Sequence, residues 1–131
     1  NYRCGTGHSV SFVGNVHEGP HALNGRNTTL MRPGMIVTDE PGVYETDLVG
    51  IRIENELVCV HKADNQYGTF LGFEPIMFVP IATSPIVPGV LTKDELDWLN
   101  NYHRQVFEKL APRLNDEERE WLAKKCAAIG W

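Results

Sequence analysis

Apolar positions in this chain follow two different periods. From residue 1 to about 90 they fall in short runs of period-two character among Gly, Val, Ile and Pro, which is the spacing of half-buried strands. From 91 to 131 they recur every three or four residues among more charges, the spacing of helices. The pattern predicts a strand-rich piece over 1–90 and a helical tail over 91–131, hence an α+β chain. Residues 35–40 (Met-Ile-Val-Thr-Asp-Glu) read as a strand stopped by Pro41-Gly42, and residues 50–60 as a longer one. Residues 63–72, with Asp64-Asn65 and two glycines, read as a loop between strands.

The tail carries explicit start signals. Thr92 followed by Glu95 is a capping box, and Leu96, Leu99, His103, Val106 and Leu110 then recur at helical spacing until Pro112. Asn115 and Glu118 repeat the signal for a shorter helix, with Trp121, Leu122 and the stretch to Ile129 supplying its buried side. Trp98, Tyr102, Trp121 and Trp131 read as packing residues, with a homodimer contact as the alternative.

Composition narrows the classes. A length of 131 residues suits one domain that buries roughly two-thirds of its unfolded surface. With 12 Lys and Arg against 17 Asp and Glu, a net charge of -5 and no basic cluster, neither nucleic acid nor an anionic membrane is the expected partner. Cysteines at 4, 59 and 126 form neither a disulfide framework nor a metal pair, which points to a reducing, cytoplasmic compartment. The apolar stretch 75–91 is broken at Pro80, Pro85 and Pro88 and is unsuited to spanning a bilayer. Asn1, without an initiator Met or a signal-like lead-in, suggests a piece of something longer.

Several polar residues look out of place. His8 follows Gly5-Thr6-Gly7, and His17 lies nine residues later in Val-His-Glu-Gly-Pro. Glu40 ends a strand, on the same face as Ile36 and Thr38, where apolar packing costs less. Alternation in the next strand puts Arg52, Glu54 and Glu56 on one face, with Ile51, Ile53 and Leu57 on the other. One reading is a solvated sheet face with an ion pair worth about 0–1 kcal/mol. The other is a divalent metal site, because one imidazole and several carboxylates (His8, Glu40, Glu54) form a mixed nitrogen and oxygen ligand set.

Four motifs in fixed order make a resemblance specific: Cys4-Gly5-Thr6-Gly7-His8, residues 15–20 (Asn-Val-His-Glu-Gly-Pro), residues 34–44 around Thr38-Asp39-Glu40-Pro41-Gly42, and residues 50–55 (Gly-Ile-Arg-Ile-Glu-Asn). Together they resemble the dimetal creatinase and aminopeptidase P family. Residues 73–81 and 98–103 resemble the C-terminal extension of its long-form Xaa-Pro aminopeptidases. The resemblance implies the C-terminal half of a pita-bread fold, a curved and mostly antiparallel sheet with a helical tail. It also implies hydrolysis of the N-terminal Xaa-Pro bond by a hydroxide held between two divalent metal ions, manganese first, with zinc or cobalt as alternatives.

By the same resemblance His8, Glu40 and Glu54 are metal ligands, Glu40 also moves the proton, His17 meets the oxyanion, and Arg52 orients carboxylates. The implied partners are a peptide with proline at its second position and the upstream half of the catalytic domain. Two departures stand out. Cys4 occupies a position where many relatives have His, and the family's two aspartate ligands lie upstream of this chain, since Asp39, Asp47 and Asp64 do not sit in the family's aspartate motif. The 131-residue piece alone is therefore expected to bind metal weakly and to hydrolyse little. The competing readings are a non-catalytic peptide-binding or interaction module on the same scaffold, and a prolidase, against which the tail argues.

Overall fold

The computed structural model of the chain describes residues 4–130; Asn1, and Trp131 with its expected packing role, lie outside the described residues. The chain forms two compact units, 1–77 and 78–131. Residues 78–90 go with the helices, since Phe78 and Ile81 pack on the cluster of Tyr102, Val106 and Leu122. Among the described residues no helix is long and apolar enough to cross a membrane.

The first unit is antiparallel throughout. Strands β1 (Ile36–Asp39), β4 (Asn55–Asn65) and β5 (Gly68–Pro75) form one sheet in the order β1-β4-β5, and β2 (Gly42–Glu45) pairs with β3 (Val49–Arg52) as a hairpin. Two expectations are corrected here. Residues 63–72 are strand rather than loop, because β4 and β5 turn back through Gln66 and Tyr67 alone, with Asn65 opposite Gly68 and Gly68 at φ +132°. Residues 50–60 are not one strand, since the ladder is interrupted at Ile53 and Glu54. The interruption faces Pro41, which has no N–H to give a ladder.

The register nevertheless runs straight through that gap. Asp39 pairs with Asn55 on one side and Gly42 with Arg52 on the other, so Glu40 falls opposite Glu54. Val37 and Cys59 are fully buried in this unit. Val43, Tyr44, Leu48, Val49, Ile51 and Ile53 leave an exposed apolar surface on and beside the hairpin.

The second unit follows its capping signals. Helix α1 (Lys93–Leu110) opens on a complete Thr92–Glu95 capping box and α2 (Asp116–Lys125) on a complete Asn115–Glu118 box. Between them a 3₁₀ turn (Ala111–Arg113) accommodates Pro112 near its start. Leu99, Tyr102, His103, Val106 and Leu122 are buried. Two further corrections apply. Helix α2 stops at Lys125 instead of reaching Ile129, because the Asn100 amide holds the Ile129 backbone at both ends, donating to its carbonyl and accepting from its N–H at 2.9 Å each. Trp98 and Trp121 are exposed, not core; Trp98 stacks on Tyr102 with ring centroids 5.7 Å apart, and Trp121 lies under Lys125.

Candidate active site

Residues 6–9 reach the sheet by running along β1. The Thr38 N–H donates to the His8 carbonyl (2.9 Å), the Glu40 N–H to the Thr6 carbonyl (2.6 Å), and Ser9 bridges to Val37. This approach requires glycine at position 7, where a Cβ would stand 1.8 Å from the Thr38 carbonyl oxygen. The backbone thus carries His8 to the end of β1, where Glu40 emerges.

Glu40 is 8% exposed, and its carboxylate is held from several sides. The Thr38 hydroxyl donates to Oε1 (2.9 Å), and His8 Nε2 lies 3.0 Å from the same oxygen. Arg52 pairs with Oε2 through one terminal nitrogen, while its Nε donates to the Tyr44 hydroxyl at 2.7 Å. Tyr44 also presents its ring to the guanidinium, 5.7 Å from the centroid. Thr38 further accepts the His8 N–H at 3.0 Å. His17 completes the wall, its ring centroid 3.9 Å from that of His8. Gly5, Gly7, His8, His17, Glu40 and Arg52 enclose a pocket of about 320 Å³.

The ring of His8 bears on what belongs in this pocket. Its Nδ1 lies 2.9 Å from the Ser9 carbonyl, which only accepts, so Nδ1 carries the proton. Nε2 then faces carboxylate oxygen with its lone pair. A neutral imidazole has one N–H for two acceptors, so a positive charge, proton or metal ion, belongs between Nε2 and Glu40. The 3.0 Å between Nε2 and Oε1 suits a direct ion pair and equally two neighbouring ligands about 2.1 Å from one octahedral cation, which stand roughly 3.0 Å apart. The Nδ1–H to carbonyl bond is also the kind of outer contact that fixes a metal-binding tautomer.

The sequence-expected residues are brought together unequally. His8, His17, Glu40 and Arg52 share the pocket. Glu54 is exposed and does not line it, although the register sets its backbone opposite that of Glu40. Among the described residues no three His, Cys, Asp or Glu side chains gather closely enough to hold a metal ion. Of the three expected ligands, His8 and Glu40 are thus brought together and Glu54 is not. Cys4 lies beside the pocket with its thiol turned to the Gly42 carbonyl at 3.1 Å. Sequence reasoning missed Thr38 and Tyr44 as supports of the site. Thr38 was within reach of it, because a hydroxyl two positions before Glu40 shares its face; Tyr44 contacts Arg52 only once the hairpin closes.

A histidine and a carboxylate locked by an arginine at a strand end, in an antiparallel α+β frame, form a polar cluster with one imidazole and one carboxylate facing each other. Residues 1–61 match the model of metallopeptidase family M24 and residues 69–129 that of the C-terminal region of peptidase M24. The chain belongs to metallopeptidase family M24. It is 47% identical to aminopeptidase P2 of Arabidopsis thaliana over 92% of this chain and 18% of that protein. It is 42% identical to a probable Xaa-Pro aminopeptidase P of Coprinopsis cinerea over 98% of this chain and 22% of that protein. The fold superimposes with a TM-score of 0.82 on X-prolyl aminopeptidase from Caenorhabditis elegans, described as a cytosolic enzyme with a di-nuclear active site. That match is 39% identical and covers 95% of this chain and 21% of that one. The chain thus spans about a fifth of the length of the relatives it matches.

Proposed function

We propose that this chain is the C-terminal part of the catalytic domain of an Xaa-Pro aminopeptidase, acting in the cytoplasm on peptides with proline at the second position. The observation that carries the reading is the 3.0 Å approach of His8 Nε2 to Glu40 Oε1 with the other ring nitrogen already committed to Ser9. His8, Glu40 and Glu54 are the residues that would hold metal, and the register that sets Glu54 opposite Glu40 supports including it. Manganese is the proposed ion, and the pair of ions supplies Lewis-acid activation of water near neutral pH.

The roles of the chain's own groups follow from their contacts. Glu40 accepts a proton and passes it to the leaving proline nitrogen; the Arg52 contact and the Thr38 hydroxyl fix its orientation for that transfer. His17, exposed on the pocket wall beside His8, donates to the carbonyl oxygen as charge builds there. Arg52 touches no substrate in this scheme and acts by positioning. The upstream half of the catalytic domain covers the apolar surface of the hairpin and supplies the remaining ligands.

The test is hydrolysis of Ala-Pro-Ala against Ala-Ala-Ala by the full-length protein, with and without manganese. Metal-dependent, proline-dependent cleavage is expected, and loss of either dependence overturns the reading. The 131-residue chain assayed alone is expected to turn over little; robust turnover by it overturns the need for upstream residues.

A further inference from the structure

A second pocket lies on the same face of the sheet. Ile36, Thr38 and Glu40 alternate onto one face of β1, and Glu56 stands opposite Thr38 and so shares it. Glu40 opens into the pocket described above, whereas Ile36 and Glu56 line another, of about 680 Å³. One covering loop contributes to both, His17 entering the first pocket and Val16 the second. The two are neighbouring stations along one strand, Glu56 two rungs or roughly 7 Å from the Glu40 rung and Ile36 four residues or roughly 13 Å from Glu40 at the usual strand rise.

The second pocket is apolar along Phe12, Val16 and Ile36; its polar side chains are Ser11, Asn15, His21 and Glu56, and it holds no Lys or Arg. The Glu56 carboxylate has no ion-pair partner among the described residues. His21 Nε2 donates to the Ile36 carbonyl at 2.8 Å, so in the neutral ring Nδ1 is a lone pair, and it is buried without a partner. The Ser11 hydroxyl is likewise buried without one. A negative charge and two unused polar atoms beside apolar walls match a group that brings several N–H donors on an aliphatic stem. Such a stem lies along apolar surface while its charged head reaches the carboxylate. Resting on the aminopeptidase reading, we infer that this pocket is a substrate subsite selecting a basic peptide side chain, arginine before lysine, with Glu56 as its counter-ion.

The experiment uses the metal-loaded full-length protein and two peptide series, Xaa-Pro-Ala and Ala-Pro-Xaa, with Xaa as Arg, norleucine or Glu. In one of the series the wild type should prefer Arg over norleucine by about tenfold in kcat/KM. Glu56→Gln should bring that ratio close to one, and Glu56→Lys should invert it in favour of Glu. Ratios taken within each variant are independent of how much of it is folded. Cleavage of Xaa-Pro peptides with Arg-to-norleucine ratios that Glu56 variants leave unchanged in both series overturns the subsite and leaves the aminopeptidase reading standing. Absence of cleavage of every Xaa-Pro peptide by the wild type overturns both.

Discussion

Nε2 of His8 and Oε1 of Glu40 lie 3.0 Å apart, a gap closed to hydrogen bonding by a neutral ring because Nδ1 already serves the Ser9 carbonyl. The pair therefore calls for a positive charge between them, a proton or, on the proposed reading, a metal ion. Replacing Glu40 with Gln keeps the volume and removes the charge. In the full-length protein, Glu40→Gln should lower bound manganese, read by elemental analysis after gel filtration, and cut kcat by about 10²–10⁴. Unchanged metal content and turnover would remove Glu40 from the site.

Tyr44 acts through Arg52. Its hydroxyl accepts from Nε at 2.7 Å while another guanidinium nitrogen holds Glu40. Tyr44→Phe deletes only that acceptor and should lower kcat about tenfold with KM little changed. A change in KM alone would make Tyr44 a substrate contact instead.

Gly7 is fixed by space. Any Cβ there meets the Thr38 carbonyl oxygen at 1.8 Å, so Gly7→Ala must push residues 6–9 off β1. The expected cost is about 2–4 kcal/mol, read as a lowered denaturant midpoint. Gly5→Ala is the control, since no atom lies within 4 Å of its Cβ position. Equal effects from the two would contradict the packing described.

His103 is fully buried and its Nε2 accepts the Ile81 N–H at 3.1 Å. Burial pushes its pKa below the ordinary histidine value of 6.5. A histidine whose folded pKa is lowered stabilises the fold fully above the unfolded value, and that contribution fades as pH falls through 6.5 toward the folded pKa. Thermal stability of the second unit should therefore drop as pH falls below about 6.5. His103→Gln should flatten that slope even if it lowers stability overall; an unchanged slope would place the titration elsewhere.

The second unit was largely legible in the sequence because its determinants are local. Thr92 with Glu95 and Asn115 with Glu118 name both helix starts, and the spacing of Leu99, His103 and Val106 names the buried stripe. The end of α2 was not, because it depends on Asn100, some 29 residues away, reaching the Ile129 backbone. In the first unit alternation identified Glu40 and Arg52 as misplaced charges, and motif order gave them roles. Alternation could not reveal that the 50–60 run changes sheets at Glu54, since the cause lies in Pro41 across the ladder. Thr38 and Tyr44 escaped notice for a related reason. Their importance is in what they touch, not in their chemistry alone.

The β2–β3 hairpin separates two distances that are usually coupled. Arg52 follows Glu40 by twelve residues, yet it reaches Glu40 because it closes the hairpin opposite Gly42. The turn at Thr46–Leu48, with Asp47 at φ +57°, lies at the far end. Adding or deleting residues there in matched pairs would lengthen or shorten the arm without moving its base. The ion pair is thus insulated from the length of the segment that encodes its spacing. The arm is free to vary outward, toward whatever surface the rest of the protein presents, while the chemistry at its root keeps its geometry.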